Sequence, residues 1–214
     1  SAVDLDGDGD RDLISGSSEA GELRWLERVG PGLDFQERSI ALAGEGSAFP
    51  SGNIEEVVPA DLDGDGDLDL AISSSDGIYL AWLENLGGGA FGTARMVLTE
   101  ADPFLIEASP YPNEEFQLRA ADLDSDGDAD LSAVMLIANR ITVLFLENAD
   151  GLGNFSSPVG LFERPCCSWP GIRAADLDTD GDIDLLLGGD QLTLLLNESK
   201  GRRWTPVDLG IGSI

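Results

Sequence analysis

The stretch Asp61-Leu-Asp-Gly-Asp-Gly-Asp-Leu-Asp69 places five carboxylates within nine residues. Negative charges at this density repel one another unless a cation lies between them. The side chains of Asp61, Asp63 and Asp65 fall at positions 1, 3 and 5 of a tight loop, and Asp69 at position 9 closes it. The stretch therefore predicts a loop that encloses a cation.

The ligand chemistry of this loop indicates calcium. Gly66 at position 6 permits a sharp turn, and Asp67 at position 7 would offer its backbone carbonyl, as that position does in calcium loops of the EF-hand kind. Oxygen ligands without histidine or cysteine favour a hard cation, and a flexible loop suits calcium better than magnesium or zinc. We therefore predict a Ca²⁺ site.

The same nine-residue pattern occurs four times, which makes a chance match a poor explanation. Position 4 varies among Gly64, Ser125 and Thr179, and this position supplies no side-chain ligand. An acidic turn that was only solvated would not keep five aspartates at the same spacing in every copy while varying only at position 4. We predict four calcium sites, and their residues are Asp4, Asp6, Asp8, Asp10, Asp12, Asp61, Asp63, Asp65, Asp67, Asp69, Asp122, Asp124, Asp126, Asp128, Asp130, Asp176, Asp178, Asp180, Asp182 and Asp184.

An EF-hand is the obvious alternative, and the sequence argues against it. An EF-hand loop has 12 residues, ends in a bidentate glutamate and lies between two helices. Position 12 in the four copies is Ser15, Ile72, Ala133 and Leu187, and the flanking segments are short apolar runs. Such runs predict buried strands, so the loops should join strand to strand.

The repeat period predicts the fold. The loops begin 57, 61 and 54 residues apart, which is typical of a propeller or a solenoid. Each repeat has one strand before the loop, two after it, and a fourth beyond a turn that is closed by an aromatic residue, namely Phe35, Phe91, Phe155 or Trp204. Four strands correspond to one propeller blade. We predict an all-β fold, a β-propeller of four-stranded antiparallel blades. It forms a single repeat domain over residues 1–214, with blade units at approximately 1–55, 56–115, 116–170 and 171–214.

Aromatic residues recur at one position of the third strand, at Trp25, Trp82 and Phe145. A four-stranded sheet cannot bury both faces alone, whereas stacked blades bury each face against a neighbour. We therefore favour packing between blades for these residues over a platform for sugar rings.

Asp61–Leu70, followed by Trp82-Leu-Glu-Asn85 and Gly87-Gly-Gly-Ala-Phe91, resembles the FG-GAP or VCBS repeat of integrin-alpha-like β-propellers. Four copies of this pattern cover essentially the whole chain. The resemblance implies a calcium loop between the first and second strands of each blade. It also implies an extracellular or cell-surface protein used in adhesion, recognition or surface architecture, in some cases as a non-catalytic domain of a larger enzyme.

The chain departs from that family in three respects. Arg28 replaces the asparagine found at 85, 148 and 197; the chain has four blades where seven are usual; and the first blade keeps only Ser1–Val3 of its opening strand. The propeller is thus a closed four-blade ring, part of a larger ring, or a ring completed by neighbouring chains. A truncated first strand leaves a sheet edge that invites pairing, so we expect self-association, head to tail in one form.

The composition restricts the partners. The chain has 41 acidic and 12 basic residues and a formal net charge of −29, which argues against nucleic acid and anionic membranes. No stretch is long and apolar enough to span a bilayer, so we expect no membrane insertion. The chain shows no signal peptide or initiator methionine, and we expect a processed or trimmed product. Protein partners and glycans remain the candidates.

Two features allow covalent modification. Cys166 and Cys167 are neighbours, and a vicinal disulfide, an interchain bridge and a pair of unreactive thiols are the alternatives. Asn154 and Asn197 begin Asn-X-Ser sequons that could carry glycans.

Catalysis has little support in the sequence. The chain has no histidine, no Gly-X-Ser-X-Gly elbow and no phosphate-binding glycine loop. We predict a non-catalytic module, although a glycosidase-type carboxylate pair remains the alternative among Asp102, Glu107, Glu114 and Glu115. A carbohydrate-binding propeller is a further alternative, with the candidate stacking residues Phe104, Tyr111 and Trp169.

Overall fold

The structure is a computed structural model, and it describes residues 1–16, 22–40, 42, 54–74, 79–99, 116–137, 139–165 and 171–212. The described residues form sixteen β-strands. A search of the same residues for an apolar helix of membrane-spanning length finds none.

The strands form four antiparallel sheets, and each sheet contains four strands that are consecutive in the chain. The first sheet contains β1 (Ala2–Val3), β2 (Asp12–Gly16), β3 (Leu23–Arg28) and β4 (Phe35–Ile40). The second contains β5 (Ile54–Ala60), β6 (Asp69–Ser74), β7 (Tyr79–Leu83) and β8 (Arg95–Leu98). The third contains β9 (Phe116–Ala121), β10 (Asp130–Ile137), β11 (Arg140–Leu146) and β12 (Val159–Pro165). The fourth contains β13 (Ile172–Ala175), β14 (Asp184–Leu187), β15 (Gln191–Asn197) and β16 (Trp204–Gly212).

This arrangement confirms the all-β prediction and the division into four-stranded blades. In every blade the acidic loop connects the first and second strands, as the sequence indicated. The ninth residue of each loop is the first residue of the second strand, at Asp12, Asp69, Asp130 and Asp184. The loops are therefore anchored at one end in a sheet.

Some strand boundaries differ from the expected ones. β5 begins at Ile54, inside the range assigned to the first unit, because a register shift between Ile54 and Glu56 lets Ile54 pair with Ser74. The closing aromatics of the first and last blades lie within strands rather than before them. Phe35 pairs with Arg28, and Trp204 pairs with Asn197, because the fourth strand of each of these blades starts directly at its turn.

The chain divides into two compact units, Ser1–Asp102 and Pro103–Ile214, each with two sheets. In the first unit, Leu5 and Trp25 of the first blade share a buried cluster with Leu70 and Ile72 of the second. In the second unit, the cluster joins the third and fourth blades through residues such as Phe145 and Leu185. Within each unit, two blades thus bury a common apolar face. The assignment of the whole chain to a single repeat domain stays a prediction.

Packing between blades is confirmed for Trp25 and Phe145, which lie in clusters that join two blades, whereas Trp82 is shown only to be buried. Trp25, Trp82 and Phe145 are all buried. Several other predicted features lie outside the described residues, namely Cys166, Cys167, Asp102, Phe104, Glu107, Tyr111, Glu114, Glu115 and Trp169.

Candidate metal centres

The first aspartate of each loop folds the backbone around its own carboxylate. In the second blade, the Gly64 amide donates to Asp61 Oδ1 over 2.8 Å, and the Gly66 amide donates to Asp61 Oδ2 over 3.1 Å. Asp4 accepts the corresponding two bonds in the first loop. Short polar side chains that bond to backbone a few residues ahead are well suited to such turns. The carboxylate that is predicted to bind metal therefore also shapes the loop.

Position 4 has a conformational role that the sequence analysis missed. It adopts a left-handed backbone in all four loops, with φ of 76° at Gly7 and Gly64, 60° at Ser125 and 66° at Thr179. This region is uncommon for residues with a side chain, and a β-branched residue there is a genuine outlier. Position 4 supplies no ligand in our prediction, yet the backbone requires it to take this conformation. Glycine in two of the four copies was the available signal.

The ninth aspartate ties the loop to the third strand. Asp69 Oδ2 accepts a 3.0 Å bond from the Leu62 amide, and Asp69 Oδ1 accepts a 2.7 Å bond from the Asn85 amide. The same pair of bonds occurs in the other three blades, and all four aspartates are completely buried. The sequence predicted a carboxylate that closes the loop, but not this connection to Asn85, which follows the third strand and lies 16 residues away.

The structure brings three carboxylates together in each loop. In the second to fourth loops these are positions 1, 3 and 9, whereas in the first loop they are positions 1, 3 and 5. Within each set, one carboxylate oxygen from each residue lies within 4.8 Å of the corresponding oxygens of the other two residues. The four sets are Asp4, Asp6 and Asp8; Asp61, Asp63 and Asp69; Asp122, Asp124 and Asp130; and Asp176, Asp178 and Asp184. The position 5 carboxylates of the later loops, at Asp65, Asp126 and Asp180, accept bonds from the position 7 amides.

The position 7 side chains make contacts beyond their own loops. Asp10 pairs with Arg28 at 3.4 Å. Asp182 accepts bonds from the Lys200 amide at 3.1 Å and from Ser125 Oγ at 3.0 Å. Because the side chains of Asp10 and Asp182 are engaged in these contacts, they fit a role in which position 7 binds metal only through its backbone carbonyl. That role stays a prediction for Asp10, Asp67, Asp128 and Asp182.

Burial makes the charged form unfavourable for some aspartates in or beside these sets. Burial, with repulsion from neighbouring aspartates, raises the pKa of Asp69 to about 6 and that of Asp130 to about 7, although two backbone amides oppose each shift. Burial and nearby carboxylates likewise raise the pKa of Asp128 to about 6. The buried Asp128 Oδ1 has no hydrogen-bond partner among the described residues. Crowded, dehydrated carboxylate oxygens of this kind fit a hard divalent cation such as calcium.

Sequence comparison identifies the repeat. The model of the FG-GAP-like repeat family matches residues 4–72 and, in a second copy, residues 61–133. Together the two matches cover more than half of the chain. The chain belongs to the FG-GAP-like repeat family. No curated protein matches this FG-GAP chain in the corresponding search.

Two solved structures share features of the FG-GAP chain at low identity. A lectin from Agrocybe aegerita, whose structure concerns the recognition of non-reducing terminal N-acetylglucosamine, is 18% identical with a TM-score of 0.42. That comparison covers 97% of this chain and 64% of the lectin chain. The Tc holotoxin pore of Photorhabdus luminescens is 19% identical with a TM-score of 0.32, over 98% of this chain and 12% of the toxin chain. The FG-GAP chain thus spans less than two thirds of either neighbour.

An asparagine at or just after the end of the third strand links adjacent FG-GAP blades. Asn85 Nδ2 donates to the Leu5 carbonyl of the preceding blade at 2.8 Å and to the Leu68 carbonyl of its own blade at 3.1 Å. Asn197 Nδ2 donates in the same way to Leu123 at 2.7 Å and to Ile183 at 3.2 Å. The recurrence of asparagine at this position was a signal that the sequence analysis noted without assigning a role.

The same geometry corrects one expectation and explains one departure. Asn197 is buried and bonded within the FG-GAP fold, so the folded chain does not offer it for glycosylation. The other sequon asparagine, Asn154, is exposed. In the first blade, Arg28 donates to Gly32 and Pro31 of its own turn and pairs with Asp10. These contacts of the Arg28 side chain all lie within the first blade, whereas the asparagines Asn85 and Asn197 at this position bond to the preceding blade.

A glutamate at or just after the end of the third FG-GAP strand acts on the acidic loops from outside them. Burial is the main cause that raises the pKa of Asp6, of Asp63 and of Asp124, and repulsion from Glu27, Glu84 and Glu147 respectively adds to it. Glu27 and Glu84 in turn pair with Arg38 and Arg95 on the fourth strand. This glutamate recurs in the repeat, but its effect on the loop was not predicted from the sequence.

Proposed function

We propose that this chain is a non-catalytic, extracellular FG-GAP β-propeller module in which calcium stabilises each blade and the blade surfaces serve adhesion, structure or surface assembly. The observation that carries the proposal is the ninth aspartate of each loop. It is completely buried, it joins the loop to the third strand, and in three loops it belongs to the carboxylate set. Because the same carboxylate belongs to the acidic loop and accepts hydrogen bonds within the blade, neutralising the charge of the loop should stabilise the blade.

The need for a cation follows from the free energy of the acidic sets. A buried carboxylate is costly unless it is paired, and like charges that share a site raise each other's pKa. When bound, a calcium ion supplies two positive charges to each set. The ion would offset the repulsion within the set of Asp61, Asp63 and Asp69, and the two backbone amides that donate to Asp69 would keep a charged acceptor. The loop and the third strand are thereby held together.

The choice of calcium rests on ligand type and loop construction. The predicted ligands are carboxylates and one backbone carbonyl, which are the oxygen ligands of calcium. The loops are short, solvent-accessible on one side and built from turns, whereas magnesium demands a near-ideal octahedron and zinc prefers nitrogen and sulfur. Calcium modules outside the cell work at dissociation constants of about 10⁻⁴ to 10⁻³ M, and we propose that these loops belong to that class.

The non-catalytic part of the proposal rests on how the chain uses its acidic groups. The loop carboxylates at positions 1 and 9 are engaged by backbone amides in every blade, and this engagement suits a structural role. The sequence contains no histidine to act as a general base. Membership of a repeat family also favours a scaffold over a single catalytic centre.

Association with other proteins, including further copies, is supported by an exposed leucine. Position 2 of the loop is buried at Leu5, Leu62 and Leu123, but Leu177 in the fourth loop is 45% exposed. Leu5 and Leu123 are covered by the following blade of the same unit. The fourth blade therefore exposes, at Leu177, the kind of apolar side chain that the other blades bury.

Thermal unfolding with calcium and with excess chelator tests the proposal, together with native mass spectrometry to count bound ions. We expect four calcium ions per chain and a clearly higher melting temperature with calcium. An identical melting temperature in both conditions would refute the stabilising role.

A further inference from the structure

Two arginines occupy the same position on neighbouring edge strands of the second unit. β9 is an edge strand of the third sheet, and β13 is an edge strand of the fourth. Arg119 in β9 and Arg173 in β13 each lie opposite the residue two places after the ninth aspartate of their loop. The corresponding residue of the second blade is Val58. The repeat itself therefore does not require an arginine at this position.

The two guanidinium groups meet at one backbone carbonyl. Arg119 Nε donates to the Ile172 carbonyl over 2.9 Å, and Arg173 Nη1 donates to the same oxygen over 2.7 Å. The Ile172 amide in turn donates to Gln117 Oε1 over 3.2 Å. Side chains of β9 thus satisfy backbone groups at the open edge of β13. The folded chain therefore holds two positive charges next to each other.

The charge of Arg173 has no carboxylate to balance it. Arginines such as Arg38 and Arg95 pair with a glutamate on the neighbouring strand. Arg173 forms no ion pair within the part of the chain that the structure describes. Like charges at this separation repel each other, and a neutral carbonyl offsets that repulsion only in part. An anion bound beside Arg173 would offset it further.

The donors of Arg173 are accessible to a ligand. Its side chain is exposed, whereas that of Arg119 is half-buried. A guanidinium has five N–H donors, and among the described residues Arg173 uses its donors only for the Ile172 carbonyl. Arg119 is held in place by the carbonyls of Leu118 and Ile172. Arg173 is therefore the group that can contact a ligand, and Arg119 is a fixed positive charge beside it.

The arrangement favours a tetrahedral oxyanion. Guanidinium groups bind carboxylates and phosphates through parallel N–H donors, and one planar carboxylate matches one such group. The two groups here come from different strands, so an anion whose oxygens point in several directions matches them better. The net charge of −29 opposes the approach of a long polyanion. A single compact sulfate or phosphate group satisfies both conditions.

We propose that Arg173, with Arg119 beside it, forms a binding site for one tetrahedral oxyanion of the sulfate or phosphate type. The free ion and an ester group carried by a larger ligand share this chemistry. Arg173 contacts the anion, and Arg119 acts as a positioning residue through its charge. Neither arginine belongs to an acidic loop, and the site goes beyond the function proposed above.

NMR titration of the isotope-labelled chain tests the proposal, because arginine Nε–H resonances report on the guanidinium groups directly. The probes are sodium sulfate for the free ion, glucose 6-sulfate for the ester and sodium acetate for a carboxylate, at constant ionic strength in chloride buffer with calcium. We expect saturable binding of sulfate with a dissociation constant of about 1 mM, and acetate about tenfold weaker or more. Glucose 6-sulfate that binds as tightly as sulfate would identify an ester-bearing ligand, and binding of sulfate alone would identify a site for the free ion.

Substitutions separate the two arginines. Arg173→Gln should weaken sulfate binding about tenfold or more, the loss expected for a hydrogen bond to a charged group. Arg119→Gln should also weaken it, and Arg119→Lys should restore most of the affinity. Both substitutions of Arg119 remove the Nε bond to Ile172, but only lysine keeps the charge, so a purely structural role would not separate them.

Arg202→Gln is the matched control. Arg202 is exposed in the same unit and forms no ion pair among the described residues. This substitution should leave sulfate binding unchanged, and circular dichroism confirms that each variant is folded. The proposal is overturned if sulfate does not saturate by about 50 mM, if Arg173→Gln binds like the wild type, if Arg202→Gln weakens binding equally, or if acetate binds as tightly as sulfate. Equal loss in Arg119→Gln and Arg119→Lys would overturn the role of the Arg119 charge.

Discussion

The side-chain amide of Asn85 donates a 2.8 Å hydrogen bond to the backbone carbonyl of Leu5, which lies 80 residues earlier in the chain. This bond crosses from the second blade to the first, and its environment is buried. Asn197 and Leu123 repeat it in the second unit. The contact between blades in each unit thus includes a specific polar bond in addition to apolar packing.

Asn85→Ala should lower the free energy of unfolding by about 1–3 kcal/mol, because the carbonyls of Leu5 and Leu68 lose a donor in a buried setting. Urea denaturation measures this change. Asn154→Ala is the control, since Asn154 is exposed and should change stability by less than about 0.5 kcal/mol. Equal effects of the two substitutions would contradict a bridging role.

Asp69→Asn should remove most of the calcium response of the second blade, because it deletes the charge of a buried member of the carboxylate set. When the free calcium concentration is about 100 times the dissociation constant of a site, binding at that site adds about 2.7 kcal/mol to the free energy of unfolding. For a chain of this length, that corresponds to about 5–10 °C in melting temperature.

Asp67→Asn is the matched control for this substitution, since Asp67 lies outside the carboxylate set and keeps its backbone carbonyl. Differential scanning calorimetry with and without calcium compares the two variants. A full calcium-induced rise in Asp69→Asn would show that this residue does not ligate.

The response to pH should differ between the metal-free and calcium-bound protein. A carboxyl group with a raised pKa binds its proton more tightly in the folded state, so its contribution to stability is full below about pH 4. That contribution is lost as pH rises through about 6 for Asp69 and about 7 for Asp130. We therefore expect metal-free stability to fall over this range and the calcium-dependent gain to grow, since calcium requires ionised carboxylates.

Melting temperatures measured with chelator and with calcium between about pH 4 and pH 8 check this prediction. The double variant Asp69→Asn with Asp130→Asn should flatten the metal-free slope. A calcium-dependent gain that stays constant across the range would be inconsistent with titration of these two groups.

Gly89→Ala should be more damaging than Gly88→Ala. A Cβ at residue 89 would lie 2.1 Å from Trp25 Cη2, whereas a Cβ at residue 88 meets nothing within 4 Å. Both glycines have positive φ, which costs a residue with a side chain about 1–2 kcal/mol. Overpacking against the ring adds about 1–3 kcal/mol at residue 89 alone. Chemical denaturation of the two variants should therefore separate the clash from the backbone strain.

Leu177→Asp should reduce self-association, because it places a charge on the exposed leucine of the fourth blade. Leu209→Asp is the control, since Leu209 is exposed to a similar extent at 41%. Light scattering at high protein concentration with calcium measures both. A wild-type chain that stays monomeric under these conditions would remove the basis for the expectation.

The sequence predicted the blades and loops well because both depend on local, repeated patterns. Aspartate and glycine spacing defines each loop, and four apolar segments per repeat define each sheet. Three features were not predicted. They are the hydrogen bonds of Asp69 to the Leu62 and Asn85 amides, the hydrogen bond from Asn85 to Leu5, and the register shift that extends β5 to Ile54. These features depend on which groups lie opposite one another across strands or blades, and local spacing does not encode that.

Both bridging amides lie later in the chain than the carbonyls they bind, by 80 residues for Asn85 and 74 for Asn197. Because the chain is synthesised from its amino end, the carbonyls of Leu5 and Leu123 leave the ribosome well before the asparagine side chains that donate to them. In each unit the polar bond between the two blades therefore has to wait until the third strand of the later blade has been synthesised.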